Sequence, residues 1–400
     1  MWSRYYAIGV LILHHPFLSL RKSTWFKLIC GASYQHLPSI RSLIVSYALA
    51  GADCIDIAAD PAIVSMARTA LDIADSLRGC PSLQDIATSQ GRPLLMVSLN
   101  DGEDPHFRKA TFNPAHCPSD CPRPCERICP AHAIAVTPGR HLASESEGVT
   151  QDRCYGCGRC IPVCPIQAIT THAHTTDLGT LAASVLPHVD AIEIHTQVGR
   201  VDAFTTVWQA IAPFVSHLKL VAVSCPDGEN LIPYLRQLYD MMIPTPARLI
   251  WQTDGRPMSG DIGNGTTHAT IRLAQKVLNA NLPGYVQLAG GTNAHTVPKL
   301  HHLQLLNGHN RLAGVAYGSY ARSLLDPILG AADALGEEGD FKLEHHPTLL
   351  LQGVFAAYQL VSQLKGGSFH STDHDPIDRP CTDLSNVRWR FSPSEMPIIS

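Results

Sequence analysis

Eight of the thirteen cysteines in this 400-residue chain fall between Cys117 and Cys164, in two runs that each end in Cys-Pro. The first run reads Cys117-Pro-Ser-Asp-Cys121-Pro-Arg-Pro-Cys125-Glu-Arg-Ile-Cys129-Pro130. The second reads Cys154-Tyr-Gly-Cys157-Gly-Arg-Cys160-Ile-Pro-Val-Cys164-Pro165. That second spacing, C-x2-C-x2-C-x3-C-P, is the bacterial ferredoxin pattern without a deviation. Cluster iron takes soft thiolate ligands, four per cubane, and short spacing lets one loop wrap a cluster. Two runs therefore imply two [4Fe–4S] clusters. The fourth cysteine of each run normally ligates the other cluster. Cys129, Cys154, Cys157 and Cys160 are accordingly assigned to one cluster, and Cys117, Cys121, Cys125 and Cys164 to the second. Gly156 and Gly158 suit a loop that hugs inorganic sulfide.

The runs also share their continuations, Cys129-Pro-x-x-Ala-Ile134 and Cys164-Pro-x-x-Ala-Ile169. This internal repeat implies pseudo-two-fold halves with the two isoleucines between the clusters. The halves are not equal. The first run has gaps of three throughout, and Pro118, Pro122 and Pro124 within it remove amide donors to cluster sulfur. The cluster held by that run is expected to be the more labile or differently poised one. Zinc with four cysteines is the competing reading, but it usually needs two separated knuckles per ion. A radical-type cluster would need C-x3-C-x2-C, which neither run supplies.

Around this block runs a repeated strand–turn–helix rhythm. Apolar strands are expected at Trp25–Ala32, Cys54–Ala59, Pro93–Asn100, Val189–His195, Leu218–Cys225, Arg248–Thr253, Tyr285–Ala289 and Leu312–Ala316. Helical stretches separate them, and parallel neighbours need such crossovers. Eight units point to a closed (β/α)8 TIM-like barrel carrying an inserted two-[4Fe–4S] ferredoxin-type domain, with an open doubly wound sheet as the alternative. The expected organisation is an N-terminal extension over 1–17, barrel over 18–103, the insert over 104–172, and barrel again over 173–330. A C-terminal helical segment over 331–365 and a polar, mobile tail over 366–400 complete it.

Chemistry in such barrels sits at the C-terminal strand ends, with phosphate often bound after strands seven and eight. Gly290, Gly291, Gly318 and Ser319 stand there and form a candidate phosphate or flavin mononucleotide site; the competing reading is tight turns. Glu193 and His195, two apart on one strand, should face the lumen together. Asn100, Gln252 and Asp254 are expected near the mouth, Lys27 has no evident role, and no residue is named as catalytic. Cys30, Cys54 and Cys225 read as buried apolar thiols, while Cys80 and Cys381 have no evident partner.

Net charge is −4, with no long basic run, so nucleic acid and anionic membrane are poor partners. No segment approaches the roughly 20 apolar residues of a spanning helix. A weak N-terminal apolar run, Ala7–Leu13, is interrupted by His14, His15 and Pro16. The expectation is a soluble cytoplasmic protein whose cysteines stay reduced.

Three stretches resemble the cyanobacterial light-dependent period family of iron–sulfur circadian input proteins. They are Trp25-Phe-Lys-Leu-Ile-Cys-Gly-Ala32, Ala50-Gly-Ala-Asp-Cys-Ile-Asp-Ile-Ala-Ala-Asp-Pro61, and the cysteine block with its unusual first run. The resemblance covers roughly residues 18–365. It implies redox sensing that adjusts clock period to photosynthetic electron flow. It also implies clock input partners, among them a CikA-type histidine kinase and KaiA, with ferredoxin or quinone as redox donor. The alternative is an oxidoreductase whose clusters feed electrons to a flavin or substrate at the barrel mouth. No compelling set of clustered acids and bases favours that enzyme, so a sensor is the expectation.

Overall fold

The computed structural model describes residues 16–30, 37–78, 91–102, 108–129, 133–136, 148–151, 153–154, 160–173, 177–256, 263, 265–308, 310–335 and 342–366. Cys157, Gly156, Gly158, Cys80, Cys381, residues 1–15 and the tail beyond Gly366 lie outside them. Helix α1 (Pro16–Lys22) leads into β1 (Trp25–Ile29), α2 (Leu37–Leu49), β2 (Cys54–Ala58), α3 (Pro61–Leu77) and β3 (Leu94–Asn100). The cysteine block comes next, comprising β4 (Arg108–Thr111), α4 (Pro124–Ile128), α5 (Cys160–Val163) and β5 (Thr170–Ala173). The rhythm then resumes with α6 (Leu178–Val185), β6 (Ala191–His195), α7 (Val201–Ile211), β7 (Leu220–Pro226), α8 (Leu231–Met241) and β8 (Leu249–Asp254). After these stand α9 (Thr267–Asn279), β9 (Tyr285–Ala289), α10 (Thr296–His302) and β10 (Leu312–Tyr317). Helices α11 (Ser319–Ser323), α12 (Asp326–Leu335) and α13 (Pro347–Lys365) end the described chain.

Eight parallel strands close in the order β1-β10-β9-β8-β7-β6-β3-β2, while β4 and β5 form a separate antiparallel pair. The closed barrel is the expected one and the open sheet is excluded. Side-chain alternation splits the core in two. Phe26, Leu28, Ile55, Ile57, Val97, Ile192, Val223 and Leu288 face the helices. Trp25, Cys54, Leu94, Met96, Ala191, Leu220, Ala222 and Ile250 fill the N-terminal end of the lumen, with Leu20 of α1 beneath them. Helix α1 thus begins inside the segment expected to be an extension, and Phe17 packs against this plug under the Arg248 guanidinium, 3.7 Å from its ring. Helix α13 packs on α2, buries Leu350, Val354, Ala357 and Val361, and ends at Gly366 with φ 67°. Its Lys365 reaches the buried Asp53, which also accepts bonds from the Phe26 amide and the Ser19 hydroxyl.

Above the apolar plug the lumen turns polar. Lys27, fully buried, pairs with Asp56 at 3.0 Å and with Glu193, and donates to Gln252 Oε1 at 3.0 Å. Gln252 in turn donates to Glu193 at 2.7 Å, and Gln287 to Gln252 at 2.6 Å. Trp25 Nε1 completes the layer by donating to Gln287 at 2.6 Å.

Candidate metal centre

The cysteine block builds a small core of its own. Ala110, Phe112, Cys125, Ala133, Ile134, Val149, Cys154, Cys160, Cys164 and Ile169 are buried together, with Cys117 and Cys129 packed against them. The described cysteines within it are free thiols. Cys117 lies beside Cys121 and Cys164, and Cys125 beside Cys117 and Cys164. The last cysteine of the second run thus interacts with the first and third cysteines of the first run, although among the described residues no three side chains converge closely enough to hold a single metal ion. Crossed ligation, in which each run donates its fourth thiolate to the other cluster, calls for such an interaction.

The internal repeat reappears as geometry. The Ala133 amide donates to Cys129 Sγ at 3.3 Å, and the Ala168 amide donates to Cys164 Sγ at 3.3 Å. Each bond spans four residues, each comes after a short helix (α4 or α5), and Ile134 and Ile169 are both buried in the shared core. A third amide, that of Ala110 in β4, donates to Cys154 Sγ at 3.4 Å.

Ligation requires thiolates. Burial opposes charge on Cys164, but the amides of Ala168, Ile166, Ile169 and Gln167 outweigh it and hold that thiol below its ordinary range. Burial pushes Cys125 up to about 11 against the amides of Glu126 and of Cys125 itself. Cys117 is raised by burial and then by Cys121 and Cys164. Crowded thiols that raise one another give up their protons to water when a cation binds and shares the charge. Soft donors, amide N–H groups aimed at sulfur and an apolar surround fit iron–sulfur clusters. Cys157 is the one predicted ligand outside the described residues.

Among the described residues a buried ion pair seats the block on the barrel. Lys109 Nζ lies 3.1 Å from Asp60 Oδ2, both side chains 6% exposed, and donates to the Gln151 carbonyl at 2.7 Å. Asp60 stands just past β2 at the mouth end and caps α3 through Oδ1, accepting from Ala62 and Ile63. Asp-Pro before an apolar helix is legible as a helix start; that its second oxygen holds the insert is not.

At the mouth, Glu193 and His195 do face the lumen together, 3.3 Å apart, and Asp254 accepts from Ser224 and from Gln252. Asp56 and Glu193 outweigh the burial that would discharge Lys27, and hold its ammonium above the ordinary lysine range. That amine is a counter-ion and a poor nucleophile. Asp56, in turn, is raised by burial against the pull of Lys27. The strand-end glycines approach backbone. Gly290 has φ 65°, and a Cβ there would lie 2.6 Å from the Arg256 carbonyl oxygen. The Gly290 carbonyl accepts from the Arg256 amide and from Thr270, and that of Gly291 from Thr266. Ser319 Oγ accepts from Arg322, whose other nitrogen reaches the Ile29 carbonyl. Cys30, Cys54 and Cys225 are buried, and burial, with Asp254 and Asp101, pushes Cys225 up to about 12. Among the described residues no helix is long and apolar enough to cross a membrane.

Residues 117–175 match the family model described as the LdpA Fe-S cluster-binding domain, and residues 185–363 that of the Light dependent period A C-terminal domain. The protein Light dependent period A of Synechococcus elongatus is 49% identical over 362 residues, covering 89% of this chain and 96% of the relative. Among solved structures, Mycobacterium tuberculosis tryptophan synthase is 10% identical, with a TM-score of 0.38 over 89% of this chain and 100% of that one. The (S)-3-O-geranylgeranylglyceryl phosphate synthase of Thermoplasma acidophilum is 11% identical, with a TM-score of 0.33 over 87% and 100%. Likenesses that slight carry no argument, and the barrel rests on its own strand order. An iron–sulfur cluster-binding domain set into a parallel barrel, and near-half identity along almost the whole length, have one reading: the chain belongs to the Light dependent period A family.

Proposed function

We infer that this chain is a redox sensor of circadian input, holding two [4Fe–4S] clusters and passing their state to clock proteins. The observation that carries the reading is the interaction of Cys164, the last cysteine of the second run, with Cys117 and Cys125 of the first, which supports crossed ligation by the two unequal halves. When bound, each cluster supplies reversible one-electron exchange. Cys129, Cys154, Cys157 and Cys160 hold one, and Cys117, Cys121, Cys125 and Cys164 the other. The amides of Ala110, Ala133 and Ala168 neutralise part of the sulfur charge and so bear on potential. Pro118, Pro122 and Pro124 withhold such donors from the first run. Lys27 offers the lumen no free amine, since it is committed to Asp56 and Glu193.

Sensing demands that oxidised and reduced protein differ in affinity for a partner, because equal affinities shift no equilibrium. The proposed partners are a CikA-type histidine kinase and KaiA, and the proposed donor is ferredoxin or quinone. Binding of each purified clock protein to oxidised and to dithionite-reduced holoprotein tests the reading. A difference of about fivefold or more is expected for at least one of them. Identical affinities in both states, with reduction verified by electron paramagnetic resonance, would overturn it. The alternative, an oxidoreductase with flavin phosphate at Gly290, Gly291, Gly318 and Ser319, has the placement of the insert at the barrel mouth in its favour.

A further inference from the structure

The Lys109–Asp60 pair belongs to neither the cluster ligands nor the lumenal network, yet it joins the cysteine block to the barrel. From Cys154 the bonds run unbroken to α3. Cys154 Sγ accepts from the Ala110 amide, and the Ala110 carbonyl accepts from Gln151 Nε2 at 3.1 Å. The Gln151 carbonyl accepts from Lys109 Nζ, which pairs with Asp60, the cap of α3. Lys109 and Ala110 are neighbours on β4, so one strand carries the amide that faces sulfur and the ammonium that faces the barrel. The Gln151 and Cys154 ends of the path lie on one turn, closed by the Cys154 amide on the Thr150 carbonyl.

We propose that the Lys109–Asp60 ion pair is a redox-responsive clamp, through which the charge on the cluster at Cys154 sets how firmly the insert is held on the barrel. This rests on the redox-sensing reading above. One electron, delivered by a one-electron carrier, leaves the cluster one charge more negative; no bond to protein breaks and no proton is required. In a buried setting that charge acts strongly. It draws the Lys109 ammonium and the Ala110 amide toward the Cys154 turn, and it repels the Asp60 carboxylate. The ion pair loosens, and with it the carboxylate that caps Ala62 and Ile63. Reduction therefore frees the first turn of α3 and the seat of the insert. Lys109 is a positioning residue that touches no iron.

The test is hydrogen–deuterium exchange on the two-cluster holoprotein, oxidised and dithionite-reduced, with iron and sulfide counted for every variant. Amides at the start of α3 should exchange roughly tenfold faster in the reduced wild type. In Lys109→Gln they should be fast in both states, with the redox difference gone. Where that variant fails to load clusters, Asp60→Asn, which changes no residue of the insert, should give the same loss of redox response. Equal exchange in verified oxidised and reduced wild type overturns the clamp and leaves the sensor standing. So does a full redox difference retained in Asp60→Asn. Clusters that accept no electron overturn both.

Discussion

Lys27 shows most plainly what a single side chain does in this fold. It is fully buried at mid-lumen, with two carboxylates and two amides arranged around it. Removing one partner of a buried pair leaves uncompensated charge, which costs about 3–5 kcal/mol. Lys27→Met should therefore lower unfolding free energy by that amount in chemical denaturation, while Asp56→Asn should cost far less, because Glu193 still answers Lys27. The sign with pH comes from the raised Asp56 carboxyl. Between its unfolded and its folded value the folded chain holds a proton that the unfolded chain has released, so its stabilising contribution is present in acid and lost as pH rises through its folded value. The penalty of Asp56→Asn should accordingly be larger at acid pH than at neutral pH. A penalty that grows toward neutral pH would contradict this assignment. Of this network, the Glu193–His195 pair is legible from period-two spacing alone. The role of Lys27 is not, because its partners come from strands distant in sequence.

The elements divide by how much local signal they carry. Barrel strands buried on both faces read as apolar runs, and all eight stand where the rhythm places them, with ends differing by a residue or a few. The hairpin of β4 and β5 is silent in the sequence. Arg108-Lys-Ala-Thr111 and Thr170-Thr-His-Ala173 have no apolar alternation, and they meet across the whole cysteine block. Helix α12 begins inside the segment expected to be barrel, and only its second half falls in the helical segment expected over 331–365. Closure itself depends on one residue that neither composition nor periodicity marks. Gly314 pairs with Trp25 where β10 shifts register against β9, and a Cβ there would lie 2.0 Å from the Trp25 carbonyl oxygen. Backbone cannot yield as a flexible side chain does, so Gly314→Ala should cost about 1–3 kcal/mol or more. Thermal unfolding of this variant beside Gly330→Ala, where no atom lies within 4 Å of the new Cβ, checks the claim. Equal midpoints for the two would contradict it.

At the scale of the molecule, the barrel and the cysteine block are two cores joined by a buried ion pair. The eight cysteines proposed as cluster ligands are legible because iron–sulfur chemistry imposes spacing on sequence. Seven of the eight are described, and six of these, all but Cys121, share one small core. The seat of that core on the barrel is not legible, since Lys109 and Asp60 are separated by a helix and a strand and neither sits in a motif. Nor is it legible that Gly290 and Gly291 are pressed against the Gly255–Arg256 turn and Thr266. A strand-end glycine reads the same whether it meets phosphate or backbone. Sensing, clamp and electron exchange all depend on what the cysteine block holds. Anaerobic purification with iron, sulfide and flavin quantification measures its contents. Two [4Fe–4S] clusters give about eight iron and about eight sulfide per chain, with no organic cofactor. Zinc in place of iron, or one flavin per chain, would refute them.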